Sequence, residues 1–130
     1  MGLEKIAAFL SALGLAGVEE DPLLALAAEN ILHKIQNETG VQAPFPAGLA
    51  NIADAMTAGE YLRIKKAAGQ LALEGVDLDA AVKQLQEGDT SVTFAAGEGS
   101  QTPEQRLDGL IETLTAGRAR ELARYRRLIW

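Results

Sequence analysis

A proline-free run of 27 residues, AGLANIADAMTAGEYLRIKKAAGQLAL at 47–73, constrains this chain more than any other stretch. Nothing in it interrupts a single long helix. At about 100° per residue, Leu49, Ile52, Ala53, Met56, Ile64, Ala67 and Leu71 share one face. Glu60 and Arg63 lie in or beside that stripe, a placement that a one-sided surface helix disfavours. The opposite face mixes Ala55, Ala58, Leu62, Gly69 and Leu73 with Asn51, Asp54, Lys65 and Lys66. A helix apolar on two sides is covered on two sides, either within its own bundle or with its second face against another chain. Gly59 and Gly69 each cost about 1 kcal/mol relative to alanine inside a helix, and close approach of a second backbone is one reason to keep them.

The flanking sequence supplies the rest of a bundle. Ile6, Phe9, Leu10 and Leu13 have helical spacing, so a first helix is expected over 3–13, ending at Gly14. Ile6–Gly17 has the length of a signal-peptide core, but Glu4 and Lys5 cancel ahead of it, and the reading is a mature amphipathic helix. Asp21 followed by Pro22 starts a second helix, with Leu24, Ala28, Ile31 and Ile35 inward and His33 on the polar face. Gly40 ends it, and Pro44 and Pro46 stiffen the link to the central helix. Thr102, Pro103 and Gln105 open a last helix with Leu107, Leu110, Ile111 and Leu114 as its stripe and Gly117 as its close. Between the two lies the least helical part. Val82–Gln86 and Ser91–Ala95 around Gly88-Asp89 read as a β-hairpin, while Ala81, Val82 and Leu85 also fit a short helix capped by Asp79. The expected fold class is therefore mainly α: a small helical bundle around a long central helix, with a short hairpin at 82–95. Residues 1–117 form the bundle domain, and 118–130 a projecting C-terminal segment.

Little in this chain carries chemistry. It has no cysteine and one histidine, which removes disulfides, thiolate metal sites, cysteine nucleophiles and any site needing two imidazoles. Asp77 and Asp79 are better explained as turn and cap residues than as a catalytic pair. The GEGS run at 97–100 lacks the lysine and the strand-to-helix setting of a phosphate loop. The expectation is no enzyme, no cofactor and no metal. No apolar run approaches the roughly 18 residues of a membrane span.

Charge is distributed unevenly. Five of the 12 basic residues and one of the 18 acids fall in 118–130, so that segment carries +4 and the remainder −10. Such an end reads as an attachment device. Arginine holds carboxylates or phosphates through a planar fork, and Tyr125 and Trp130 are of the types enriched at interface hot spots. A solvated basic helix end would explain the arginines but would leave the Leu128-Ile129-Trp130 tip exposed.

Three stretches in series, AMTAGEYLRIKKAAGQL (55–71), VKQLQEGDTSVTFA (82–95) and RLDGLIETL to LARYRRLIW (106–130), resemble the head–tail connector (adaptor) proteins of long-tailed phages and prophages of Gram-positive bacteria. Ile129 stands where that family's ending carries a second basic residue. The resemblance implies a virion structural protein, assembled in the host cytoplasm, that forms a ring, usually twelve-fold, between portal and stopper or tail. DNA would pass through the lumen without specific binding. The docking group implied for the portal is Arg118, Arg120, Arg124, Tyr125, Arg126, Arg127, Leu128 and Trp130. Glu87, Gly88, Asp89, Val92 and Phe94 would face a neighbouring subunit or the channel. The alternatives are a small helical nucleic-acid-binding protein using its arginine-rich end, whose affinity would fall steeply with salt, and a helical regulator or chaperone.

Overall fold

The computed structural model describes residues 3–15, 17–42, 44–70 and 103–125. Among these the chain is mainly helical: α1 (Leu3–Ala12), α2 (Pro22–Thr39), α3 (Ala47–Ala67), α4 (Pro103–Leu114) and a short α5 (Ala119–Ala123). The 82–95 segment, expected as a hairpin, lies outside the described residues, as do 71–81.

Local chemistry explains most of the boundaries. Asp21 caps α2, its Oδ1 accepting from Leu23 N–H at 3.0 Å, with Pro22 in the first turn where its missing N–H is harmless. Thr39 closes the same helix. Its hydroxyl donates to Ile35 O at 2.7 Å and accepts from Val41 N–H at 3.1 Å, so a buried polar side chain is satisfied on both counts. The central helix is shorter than the sequence pattern suggests, stopping at Ala67 instead of Leu73. Gly69 has φ 71°; its N–H donates to Lys66 O, and Gln70 N–H donates to Lys65 O, both at 3.0 Å. This pair of bonds is a Schellman ending, which needs the left-handed residue that glycine supplies. Gly69 is thus the terminator of α3 and not a tolerated interior glycine. In consequence Ala67 is exposed and Ile64 only half-buried.

The core is organised in two clusters strung along α3. The first joins Ile6, Leu10 and Leu13 of α1 and its turn, Leu24 and Ala27 of α2, Ala58, Tyr61 and Leu62 of α3, and Leu107, Leu110, Ile111 and Leu114 of α4. The second joins Ile31, Ile35 and Val41 to Leu49, Ile52, Ala53 and Met56, together with Leu122. The start of α2 therefore meets the end of α3 and the reverse, so the two pack antiparallel. Lys66 reaches Glu104 and Asp108 while Gly59 faces Leu114 and Thr115, which sets α4 antiparallel to α3 as well.

The two-sided covering expected of the central helix is present, and this chain supplies it. Met56, Thr57, Ala58, Gly59, Tyr61 and Leu62 are all buried, between α2 on one side and α1 and α4 on others. A Cβ on Gly59 would lie 2.6 Å from Thr115 Cγ2, 2.9 Å from Leu114 Cβ and 3.3 Å from Ile111 O. Glycine is what lets α4 come this close. Glu60 is half-buried because Arg63, one turn on, bonds its carboxylate, which accounts for two charges at the edge of an apolar stripe.

Candidate docking face at the C-terminal turn

The arginine-rich segment begins where α4 ends. Thr115 Oγ1 donates to Ile111 O at 2.7 Å beside the last helical bond, from Thr115 N–H to the same carbonyl at 3.0 Å, and a 3-10 turn over Ala116–Arg118 reverses the chain. The helix thus closes three residues before Gly117. That glycine sits inside the turn, where a Cβ would press to 3.2 Å from Glu112 O. The chain then re-enters as α5, which packs on α2 and α3. Leu122 is 3 % exposed and completes the second core cluster, and Tyr125 packs half-buried on the same cluster.

This arrangement corrects the boundary drawn at 117/118. Residues 118–125 are part of the bundle and do not project from it. The sequence reading takes the five arginines as one docking unit and gives too little weight to Leu122, which the chain reversal turns inward. Arg118 is also misplaced by that reading. It is buried, with its guanidinium Nη1 donating to Glu121 Oε2 at 2.8 Å, one turn away. It therefore serves the turn and does not face outward. Arg120 and Arg124 are exposed. Arg126, Arg127, Leu128 and Trp130, and Glu87, Gly88, Asp89, Val92 and Phe94, lie outside the described residues.

Among the described residues, Arg120 and Arg124 lack the acidic partner that most basic side chains have. Lys34 pairs with Glu38, Arg63 with Glu60, Lys65 with Asp21, Lys66 with Asp108 and Glu104, and Arg118 with Glu121. Arg120 and Arg124 have no ion pair among the described residues, on a chain whose net charge is −6. They are spaced i, i+4 on the outside of the C-terminal turn, so their guanidinium groups present a small positive face.

A second polar constellation was not expected from the sequence. Asp21 Oδ2 accepts from Tyr61 Oη at 2.8 Å and from Lys65 Nζ at 2.9 Å, while Lys65 also reaches Gln70 Oε1 at 3.0 Å and lies 5.9 Å from the Tyr61 ring centroid. Burial alone would raise the Asp21 carboxyl, but the bonds from Leu23 N–H, Lys65 and Tyr61 outweigh it and hold it below the ordinary value. Burial first, and then the adjacent carboxylate, push the Tyr61 phenol well up. Every polar group here has a partner within the cluster, which fastens the start of α2 to the end of α3. The only available signal was the i, i+4 spacing of Tyr61 and Lys65. On the opposite flank Asp108 raises Lys66, through a hydrogen bond that outweighs its partial burial, with Glu104 adding to the effect. No group of His, Asp or Glu among the described residues could hold a metal ion, and no helix among them is long and apolar enough to cross a membrane.

Comparison with protein-family models, curated proteins and solved structures finds no match to this chain.

Proposed function

We propose that this chain is a structural adaptor of the head–tail connector type. Its arginine-bearing C-terminal end grips an acidic surface on a portal-like partner, while the bundle meets neighbouring copies in a ring. The observation that carries the reading is the pair Arg120 and Arg124, exposed and without an acidic partner among the described residues of an otherwise acidic chain. A surface guanidinium with no neighbouring carboxylate leaves its field unneutralised, so it draws an acidic partner surface toward this end at no cost to the fold. Two further features support it. Among the described residues α4 closes the bundle, and of residues 119–125 only Leu122 and Tyr125 join the core. The sequence after Tyr125, RRLIW, adds two arginines and a tryptophan to the same end. Head-to-tail contacts between identical subunits close into rings when the rotation permits. In this reading the protein resides in the virion at the head–tail junction, with stopper or tail-completion protein on its far side.

The test mixes the protein with the portal protein from the same genome and images the complex. A cut after Gly117 is the wrong control, because it removes Leu122 from the core. Truncation after Tyr125 keeps every described packing residue, Leu122 and Tyr125 included, and removes the terminal arginines and Trp130. The reading requires a ring on the portal with the full chain, and weaker binding both for the truncated chain and for Arg120→Ala/Arg124→Ala. Full binding by both variants would overturn it. Tight, steeply salt-dependent binding of duplex DNA by the full chain, with no portal binding, would favour the nucleic-acid alternative.

A further inference from the structure

Beyond the packing of Leu122 on Leu49, the C-terminal segment meets the first turn of α3 at Gly48. A Cβ placed on Gly48 would overlap Tyr125 Oη and stand 3.2 Å from Cζ. Neither burial nor backbone conformation calls for glycine here, since Gly48 is exposed and is not among the positive-φ glycines. The phenol ring is what occupies the space a side chain would need. The same ring packs on the cluster of Ile31, Ile35, Leu49 and Leu122, and Tyr125 N–H donates to Leu122 O at 3.0 Å. Tyr125 is thus held from below by core side chains and from the side by a helix turn that has no Cβ at that position.

We propose that the Gly48–Tyr125 contact is a fastener that pins the arginine-rich chain end to the bundle, making Tyr125 a positioning residue and not a group that meets the partner. The fastener is read from this chain's own geometry, although its purpose rests on the docking function proposed above. With the ring seated, Arg124 is held one residue before a fixed point, and the chain that carries Arg126 and Arg127 continues from that point. Holding the turn that carries Arg120 and Arg124 in place before binding lowers the conformational freedom that docking must remove. This reassigns Tyr125, which its residue type alone marks as a partner contact.

The experiment is limited trypsin digestion of the full-length protein without any partner, following cleavage after Arg124 by mass spectrometry. Gly48→Ala is expected to speed that cleavage about tenfold, because the new methyl displaces the ring and opens the C-terminal turn locally. Helix propensity alone predicts the opposite sign, since alanine strengthens the first turn of α3. Tyr125→Phe, which keeps the ring and removes Oη, is expected to restore the Gly48→Ala protein to within about threefold of the parent rate. Cleavage of Gly48→Ala at the parent rate would overturn the fastener, and so would absence of rescue by Tyr125→Phe. Equal acceleration after Lys34, within α2, would also overturn it by showing general destabilisation. A portal that fails to bind would leave these outcomes untouched, so the two proposals fail separately.

Discussion

Leu122→Ala puts the placement of the C-terminal turn to the most direct test. Leu122 is 3 % exposed and lies in a cluster with Ile31, Ile35, Val41, Leu49, Ile52, Ala53 and Met56. Removing the outer carbons of a buried leucine costs about 2–5 kcal/mol, the spread depending on how far the site can collapse. Two half-buried neighbours, Phe45 and Tyr125, border this cluster and can relax into the space, which favours the lower part of that range, about 2–3 kcal/mol. For a chain of this size each kcal/mol moves the melting temperature by about 3–4 °C, so the expected drop is roughly 6–12 °C. Circular dichroism melts and urea titration measure it, with the midpoint shifting at unchanged slope. Arg124→Ala, on the exposed side of the same turn, is the control and is expected within about 0.5 kcal/mol of the parent. A Leu122→Ala protein that melts with the parent would mean that residues 118–125 do not belong to the bundle, and the reasoning about the docking face would fail with it.

Three other outcomes follow from the packing and the polar cluster. Gly59→Ala sets a helix-propensity gain of up to about 1 kcal/mol against overpacking of about 1–3 kcal/mol. Because Leu114 Cβ at 2.9 Å and the Ile111 carbonyl at 3.3 Å are parts of α4 that cannot swing away, overpacking should win and the melting temperature should fall. Asp21→Asn keeps a capping oxygen but loses the charge that Lys65 faces. The parent carboxyl sits below its ordinary 3.8, so its contribution is complete above that pH and lost as pH falls through the lower folded value; stability of the Asn variant against acid should lack this component. For Tyr61 the shift is upward from 10.0, so its contribution is complete below pH 10 and declines as pH rises beyond it; Tyr61→Phe should lose about 1 kcal/mol at neutral pH and flatten the alkaline decline.

The helical architecture was legible because capping and periodicity act locally. Asp21-Pro22, Gly14, Gly40 and the stripe of Leu107, Leu110, Ile111 and Leu114 each specify their helix within a few residues, and the structure has them there. Gly59 as a point of close approach could also be read, since an interior glycine in a helix otherwise lacks a reason. Two things could not. Which of two central-helix glycines is interior and which is terminal depends on whether the chain beyond it continues the helix, and at Gly69 it turns left-handed instead. The fate of the arginine-rich segment depends on a reversal at Thr115–Arg118 that brings Leu122 back against α2 and α3. Its charge density pointed outward, and the helix-like spacing of Leu122, Tyr125 and Ile129 does not say what that face packs against. The Asp21–Tyr61–Lys65 cluster spans some 40 residues of sequence, as the Tyr61–Asp21 separation shows, and no local rule reaches that far.

The separation of Arg118 from Arg120 and Arg124 has a kinetic consequence. Arg118 is committed to Glu121 and buried, so its removal acts on the turn. Arg120 and Arg124 are exposed and lack an ion pair among the described residues, so their removal leaves the bundle as it was and acts only on encounter with a partner. Charges at the rim of an interface steer association and contribute little once water is excluded, whereas buried aromatic anchors govern dissociation. The double variant Arg120→Ala/Arg124→Ala should therefore slow association with the portal about tenfold at low salt, with dissociation changed less than about threefold. The difference from the parent should shrink as salt is raised to about 0.5 M, where screening shortens the reach of both guanidinium groups. Surface plasmon resonance at several ionic strengths separates the two rates. A variant that instead dissociates faster, with association unchanged and no dependence on salt, would place these arginines inside the contact and would refute their assignment as steering charges.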